Sequence, residues 1–195
     1  MSIVVTGFGQ FRNYTVNPSW EAVKGLNDVW DDPDYKLITE QIPVDYDFVQ
    51  NNVPDRWKDC DPKFIVHVGV SHAADKLTLE RAGNNTGYDK PDVNDRCPPG
   101  GCCVAEARDT LDTCLDIVQL MTDVNNDCAK LGDGVESCIS KYAGQYLCDF
   151  VFYKSLHATN GRSLFIHVPE DGKPYTIQQM TKGIKIILKN IIKQL

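Results

Sequence analysis

The seven residues Phe64-Ile65-Val66-His67-Val68-Gly69-Val70 make an almost unbroken apolar run. A strand alternates its side chains between two faces, so a run without alternation belongs where both faces are covered, in the middle of a sheet flanked by helices. This run is therefore the expected sheet centre. Ser2 to Thr6, β-branched and closed by Gly7, reads as a first strand, and Asn17-Pro18 as an N-cap followed by proline at the first helical position. Lys36 to Ile42 reads as a second strand, after which Asp45 caps a helix through Trp57 with Pro54 as its kink or end. Helical spacing returns from Cys114 to Leu131, Val135 to Ile139 suits a strand, and Ala143-Gly144 leads into a helix carrying Leu147, Val151, Phe152 and Leu156. Ser163 to Val168 is a further strand. From Gly83 to Cys103 periodicity gives way to Gly, Asn, Asp and Pro, the mark of a long irregular loop with short strands at most, and loops of this length often serve function. Strands alternating with helices predict an α/β protein: a single-domain three-layer α/β/α sandwich over residues 1–195 with a mostly parallel central sheet.

A chain of 195 residues with 42% hydrophobic content is long enough to bury one core. Its formal net charge of -7 argues against nucleic acid as a partner, because attraction to phosphates depends on clustered Lys and Arg. No apolar stretch approaches the roughly twenty residues that span a bilayer. The one basic stretch is the C-terminal segment, where Lys182, Lys185, Lys189 and Lys193 alternate with Ile184, Ile187, Leu188, Ile191 and Ile192. It reads as a final helix packed on the core, its lysines complementing the dipole, rather than as a membrane-surface helix. Met1 runs directly into the first strand without a leader pattern, and eight cysteines in a chain of this size fit a reduced, cytoplasmic protein better than a disulfide framework. The triplets Asn13-Tyr14-Thr15 and Asn84-Asn85-Thr86 match the glycosylation pattern but would need the secretory route.

Gly7-Phe8-Gly9-Gln10-Phe11-Arg12 follows a strand and precedes a helix, like the start of a dinucleotide fingerprint, but Arg12 stands where the third glycine is required. No Walker-type lysine follows, so no nucleotide cofactor is expected. Phe8 and Phe11 either wall a small neutral pocket beyond the first strand or plug the core. Cys97, Cys102 and Cys103 raise the alternative of a zinc-binding interaction module, yet C-x4-C-C lacks a second paired knuckle or a nearby histidine, and no metal is expected. Cys148 lies near the start of a helix, where amides and the dipole favour a thiolate and can cradle an oxyanion. Taken alone it is as well read as a small buried hydrophobe. His167, near the end of the following strand, could meet it across a parallel sheet edge and serve as its base. Glu80, after the presumed central strand, could orient the imidazole or simply pair with a neighbouring cation.

Five blocks in order, Val5-Thr6-Gly7-Phe8-Gly9 with Val16-Asn17-Pro18-Ser19-Trp20, His67-Val68-Gly69-Val70-Ser71, Leu79-Glu80-Arg81, Ala143-Gly144-Gln145-Tyr146-Leu147-Cys148-Asp149-Phe150 and Phe165-Ile166-His167-Val168-Pro169, resemble the pyroglutamyl-peptidase I family, most closely its animal branch. The resemblance spans essentially the whole chain. It implies a cysteine omega-exopeptidase that removes an N-terminal pyroglutamyl residue through a thioester, with no metal or cofactor, a triad on Cys148, His167 and Glu80, and an aromatic slot formed by Phe8 and Phe11. Leu147 would line that slot and the Cys148 amide would donate to the oxyanion. The sequence departs from the family pattern at Gln10 and Arg12, where proline and glycine are usual, which leaves as the alternative a catalytically weak paralogue that binds a blocked N-terminus or another small ligand.

Overall fold

The structure, a computed structural model, describes residues 1–11, 16–132 and 134–195; Arg12 lies outside them. The chain opens with β1 (Ser2–Phe8), the paired short helices α1 (Pro18–Lys24) and α2 (Leu26–Val29), β2 (Lys36–Ile42) and α3 (Tyr46–Cys60). Then come β3 (Phe64–Val70), β4 (Leu77–Glu80), β5 (Ala82–Asn84), β6 (Thr110–Asp112), α4 (Ile117–Leu131) and β7 (Ser137–Ser140). It closes with α5 (Leu147–Thr159), β8 (Ser163–Val168) and α6 (Ile177–Ile192). Six of these strands form one sheet in the order β2-β1-β3-β8-β4-β7, with β3 and β8 at its centre. β1, β2, β3 and β8 run parallel, whereas β4 runs antiparallel to β8 and carries β7 parallel to itself. The architecture is a mixed α/β fold with a mostly parallel sheet.

Alternation along the strands sorts the side chains between two cores. Ile3, Val5, Phe64, Val66, Val68, Leu77, Leu79, Leu164 and Ile166 face α1, α2, α4 and α6. Val4, Ile65 and Phe165 face the other way, onto α3 and α5. The apolar stripe of α6, Ile184, Ile187, Leu188 and Ile191, is buried in the first of these cores, and among the described residues no helix is long and apolar enough to cross a membrane. Gly7 sets the spacing at the first strand: a Cβ there would stand 2.7 Å from the Trp20 Cα, so the start of α1 can approach β1 only over a glycine.

Several expectations need correction. α3 continues through Pro54 to Cys60 instead of ending there. The helix expected from Cys114 begins at Ile117, where the Asp116 carboxylate accepts from the Gln119 amide, and the strand expected at Val135 begins at Ser137. β4 had no sequence signal of its own, being four residues long. The long loop is irregular but firmly tied: Asn85 Oδ1 accepts from the Val104 amide, Tyr146 donates to the Pro91 carbonyl, and the Tyr46 amide at the start of α3 donates to Asp92.

Candidate active site

The side-chain period of two, which sorts the core, also gathers the candidate catalytic groups. Leu77 and Leu79 of β4 face one helix layer, so Glu80 faces the other. On β8, Leu164, Ile166 and Val168 do the same, so Phe165 and His167 share the face of Glu80. In the antiparallel register His167 lies opposite Thr78, and Glu80 is the next residue of β4 on that face. The imidazole and carboxylate meet there, His167 Nδ1 standing 2.8 Å from Glu80 Oε1. Cys148, the second residue of α5, packs onto this face, close enough to the His167 ring to raise its proton affinity. With Nδ1 held by Glu80, the other ring nitrogen is left for the sulfur. The structure thus brings Cys148, His167 and Glu80 together. The expectation that they would meet at a sheet edge is corrected: β8 is a central strand, and the groups meet where it adjoins the reversed strand β4.

Room for the thiol comes from Gly69, which pairs with His167 across β3 and β8. A Cβ on Gly69 would stand 3.0 Å from Cys148 Sγ and 2.7 Å from the Phe165 ring. The Gly69 in the run that marked the sheet centre is therefore the residue that lets sulfur reach the sheet. Glu80 is almost wholly buried, and its Oε2 has no hydrogen-bond partner among the described residues, so its stabilisation falls on the His167 contact. Burial works to lower the proton affinity of His167, but the contacts with Cys148 and Glu80 outweigh it and raise the pKa to about 9. At neutral pH the ring is an imidazolium, the counter-charge a thiolate needs. Tyr146, at the N-cap of α5, makes no side-chain capping bond to the first-turn amides.

Two hollows meet at the sulfur. The smaller, about 130 Å³ and mostly apolar, is lined by Phe8, Phe11, Val44, Val70, Tyr146 and Leu147 beside Cys148, with Asn17 and His72 as its polar members. Phe8 does both things its position allowed, being 3% exposed in the core and still forming part of this wall. Phe11 leans on Tyr146 with ring centroids 5.6 Å apart. A volume of roughly four waters, at about 30 Å³ each, suits one small ring and not an extended side chain. The larger hollow, about 650 Å³ and more open, runs from Cys148 and His167 past Ser140, Tyr142, Tyr146 and Lys90. Val44, Val70, His72 and Tyr146 were not singled out from sequence. Tyr146 and Val70 stood inside quoted motifs, whereas Val44 and His72 gave no local sign. A more voluminous groove between β6 and the end of α5 is lined by Cys114 and His157.

The thiols of the long loop go separate ways: Cys97 is exposed, Cys102 donates to the Val104 carbonyl, and buried Cys103 donates to the Phe150 carbonyl. Among the described residues no three His, Cys, Asp or Glu side chains are gathered as metal ligands.

Acyl transfer through a thiol is the chemistry such an arrangement serves, and its class is that of the α/β cysteine hydrolases. The model of the pyroglutamyl peptidase family matches residues 1–192. Pyroglutamyl-peptidase 1 of Homo sapiens is 40% identical over 191 residues, covering 98% of this chain and 90% of its own length. The human pyroglutamyl-peptidase 1-like protein is 31% identical over 82% of this chain and 78% of its own. Among solved structures, pyroglutamyl peptidase I from Bacillus amyloliquefaciens superposes with a TM-score of 0.82 at 27% identity, covering 97% of this chain and 93% of that one. A mutant pyrrolidone carboxyl peptidase from Pyrococcus furiosus gives 0.86 at 25% identity, with both chains fully covered. The chain belongs to the pyroglutamyl peptidase family, a family of cysteine peptidases.

Proposed function

We propose that this protein, acting as one domain, hydrolyses the bond after an N-terminal pyroglutamyl residue, with Cys148 as nucleophile, His167 as acid and base, and Glu80 as the group that orients His167. The observation that carries the reading is the contact of Cys148 with a Glu80-bound His167 at the mouth of a small apolar hollow. A pyroglutamyl group has no charged amine, so a dry slot walled by Phe8, Phe11 and Leu147 favours it where an ordinary N-terminus would lose its hydration. The leaving peptide would lie in the larger hollow. Cys148 Sγ attacks the pyroglutamyl carbonyl carbon, and the electron pair of the carbonyl moves onto oxygen, facing the first-turn amides of α5. As the C–N bond breaks, His167 gives its proton to the departing amine, which leaves a thioester. Water, deprotonated by His167, then adds to the thioester and releases pyroglutamate and the thiol. A reduced, cytoplasmic setting fits a thiol nucleophile accompanied by seven further free cysteines.

Purified, reduced protein should release a fluorophore from a pyroglutamyl amide and not from a prolyl amide, and Cys148→Ala should abolish the release. A folded, reduced wild type without turnover would overturn the reading and favour a binding role for the slot.

A further inference from the structure

Asp149, next to the proposed nucleophile, is wholly buried. Its carboxyl group reaches across to the start of the cysteine-rich loop. Oδ1 accepts from the Asn84 amide at 3.1 Å, Oδ2 from Asn84 Nδ2 at 3.3 Å, and the Tyr88 hydroxyl lies 3.1 Å from Oδ2. Tyr88 is itself fully buried, against Phe150 and Tyr46, and its hydroxyl also meets the Asn84 carbonyl. On the other side of the nucleophile, Gly87 lies under Gln145, so closely that a Cβ there would stand 2.4 Å from Nε2. Residues 84–88 therefore underlie the chain both before and after Cys148.

We propose that Asp149 is a positioning residue for the reaction: through Asn84 and Tyr88 it fastens segment 84–88 beneath the first turn of α5, and so fixes where the Cys148 thiol and the neighbouring amides stand. This rests on Cys148 being the nucleophile.

Counting protons says what the position requires. A phenol has one proton to donate, and a backbone carbonyl can only accept. The Tyr88 oxygen touches both the Asn84 carbonyl and Asp149, so both contacts are hydrogen bonds only when Asp149 brings a proton of its own. Burial pushes the Asp149 carboxyl up to about 6; the Asn84 and Tyr88 bonds oppose that rise and the charge of Glu80 on β4 adds to it. Cys103 also faces it, a thiol that burial keeps protonated by pushing its pKa up, against the pull of Lys154 on α5. An asparagine would keep the shape and an oxygen for the Asn84 amide, and could give an N–H to the Tyr88 oxygen, but its nitrogen would face Asn84 Nδ2 as a second donor, so only part of the tie survives. An alanine would leave the Asn84 amide and Nδ2 without their acceptor, and Tyr88 with only the Asn84 carbonyl.

The test measures kcat and KM on a pyroglutamyl amide, together with the thermal midpoint, for wild type, Asp149→Asn, Asp149→Ala and Tyr88→Phe. Asp149→Asn, which keeps part of the tie, should fall between wild type and Asp149→Ala in kcat. Asp149→Ala should lose about 10- to 100-fold in kcat with KM little changed, since the slot itself is untouched. Tyr88→Phe keeps the carboxyl group and should lose kcat in the same sense by a smaller factor, which decides the matter if Asp149→Ala does not fold. A folded Asp149→Ala or Tyr88→Phe with wild-type kcat would overturn the proposal, as would an Asp149→Asn as impaired as the alanine variant. An inactive wild type would instead sink the reading of the active site itself.

Discussion

His67 and His167 stand on neighbouring strands, face the same helix layer, and flank one phenylalanine: the Phe165 ring is 6.4 Å from the first and 4.7 Å from the second. Each imidazole has polar partners on both sides, yet their charges differ. His67 Nδ1 meets the Thr6 hydroxyl at 2.7 Å and Nε2 the Ser155 hydroxyl at 2.8 Å. Hydroxyls can donate or accept but bring no charge, so burial alone governs and lowers its pKa to about 3. His167 is also buried, but its partners are a carboxylate and a thiol, and its pKa rises to about 9. Two histidines in nearly the same place in the fold thus become a neutral tie and a charged acid, and the difference lies in what each partner can ionise to.

The largest test of that contrast is to remove each ring. His167→Ala should cost about 10²- to 10⁴-fold in kcat/KM per folded molecule, and should also lower the thermal midpoint because buried Glu80 loses its partner. His67→Ala should instead destabilise by about 2–4 kcal/mol, through a cavity and two orphaned hydroxyls, with near-normal turnover per folded molecule. If His67→Ala proved as inactive as His167→Ala while fully folded, the division of labour would collapse. Next in size, Gly69→Ala forces a methyl group between Phe165 and the sulfur, and should lower kcat and cost about 1–3 kcal/mol of stability. Unchanged kinetics would mean that the thiol does not need that space.

The pH dependence of stability should carry both signs. Unfolded, each histidine titrates near 6.5. His67 stays neutral in the folded state down to about 3, so the unfolded chain binds the extra proton and stability falls as pH drops through that window. His167 holds its proton up to about 9, so its contribution is full below 6.5 and is lost as pH rises through about 9. In urea unfolding on either side of neutrality, His67→Gln should flatten the acid limb and His167→Gln the alkaline one. The reverse assignment would overturn the charge states argued above. The smallest expected effect is kinetic: with substoichiometric alkylating reagent at neutral pH, Cys148 should be modified before Cys97 and Cys114, although both of those are more exposed. Modification in order of exposure would argue against an imidazolium beside Cys148.

What the sequence disclosed follows from how local each signal was. β3 and β8 announced themselves as apolar runs, and Cys148 and His167 by their places at the start of a helix and near the end of a strand. Glu80 was legible through resemblance, because four residues are too few to declare a strand and nothing local says that β4 runs against its neighbour. That reversal is a tertiary fact, fixed by which strand β4 can pair with once β3 and β8 are in place. The bed under Cys148 was equally hidden: Asp149, Asn84 and Tyr88 are ordinary polar residues of a turn-rich loop and a helix start, and Asp149 joins the other two across more than sixty positions. Phe8 and Phe11 were legible as a pair but not as to role, since a core plug and a pocket wall look alike until the hollow beside them is seen.

The reversed strand also bears on how such a protein can change over generations. Glu80 ends β4 opposite Phe165, two residues short of His167, and so is held by sheet register within the slab. Phe8 is the last residue of β1, whereas the neighbouring Gln10 and Phe11 belong to the loop beyond it. Substitutions in that loop can reshape what is admitted while the histidine and its acid keep their alignment. A lineage could therefore drift in substrate preference through a handful of rim positions without relearning the chemistry, and departures such as Gln10 fall on the side of the molecule where drift is tolerated.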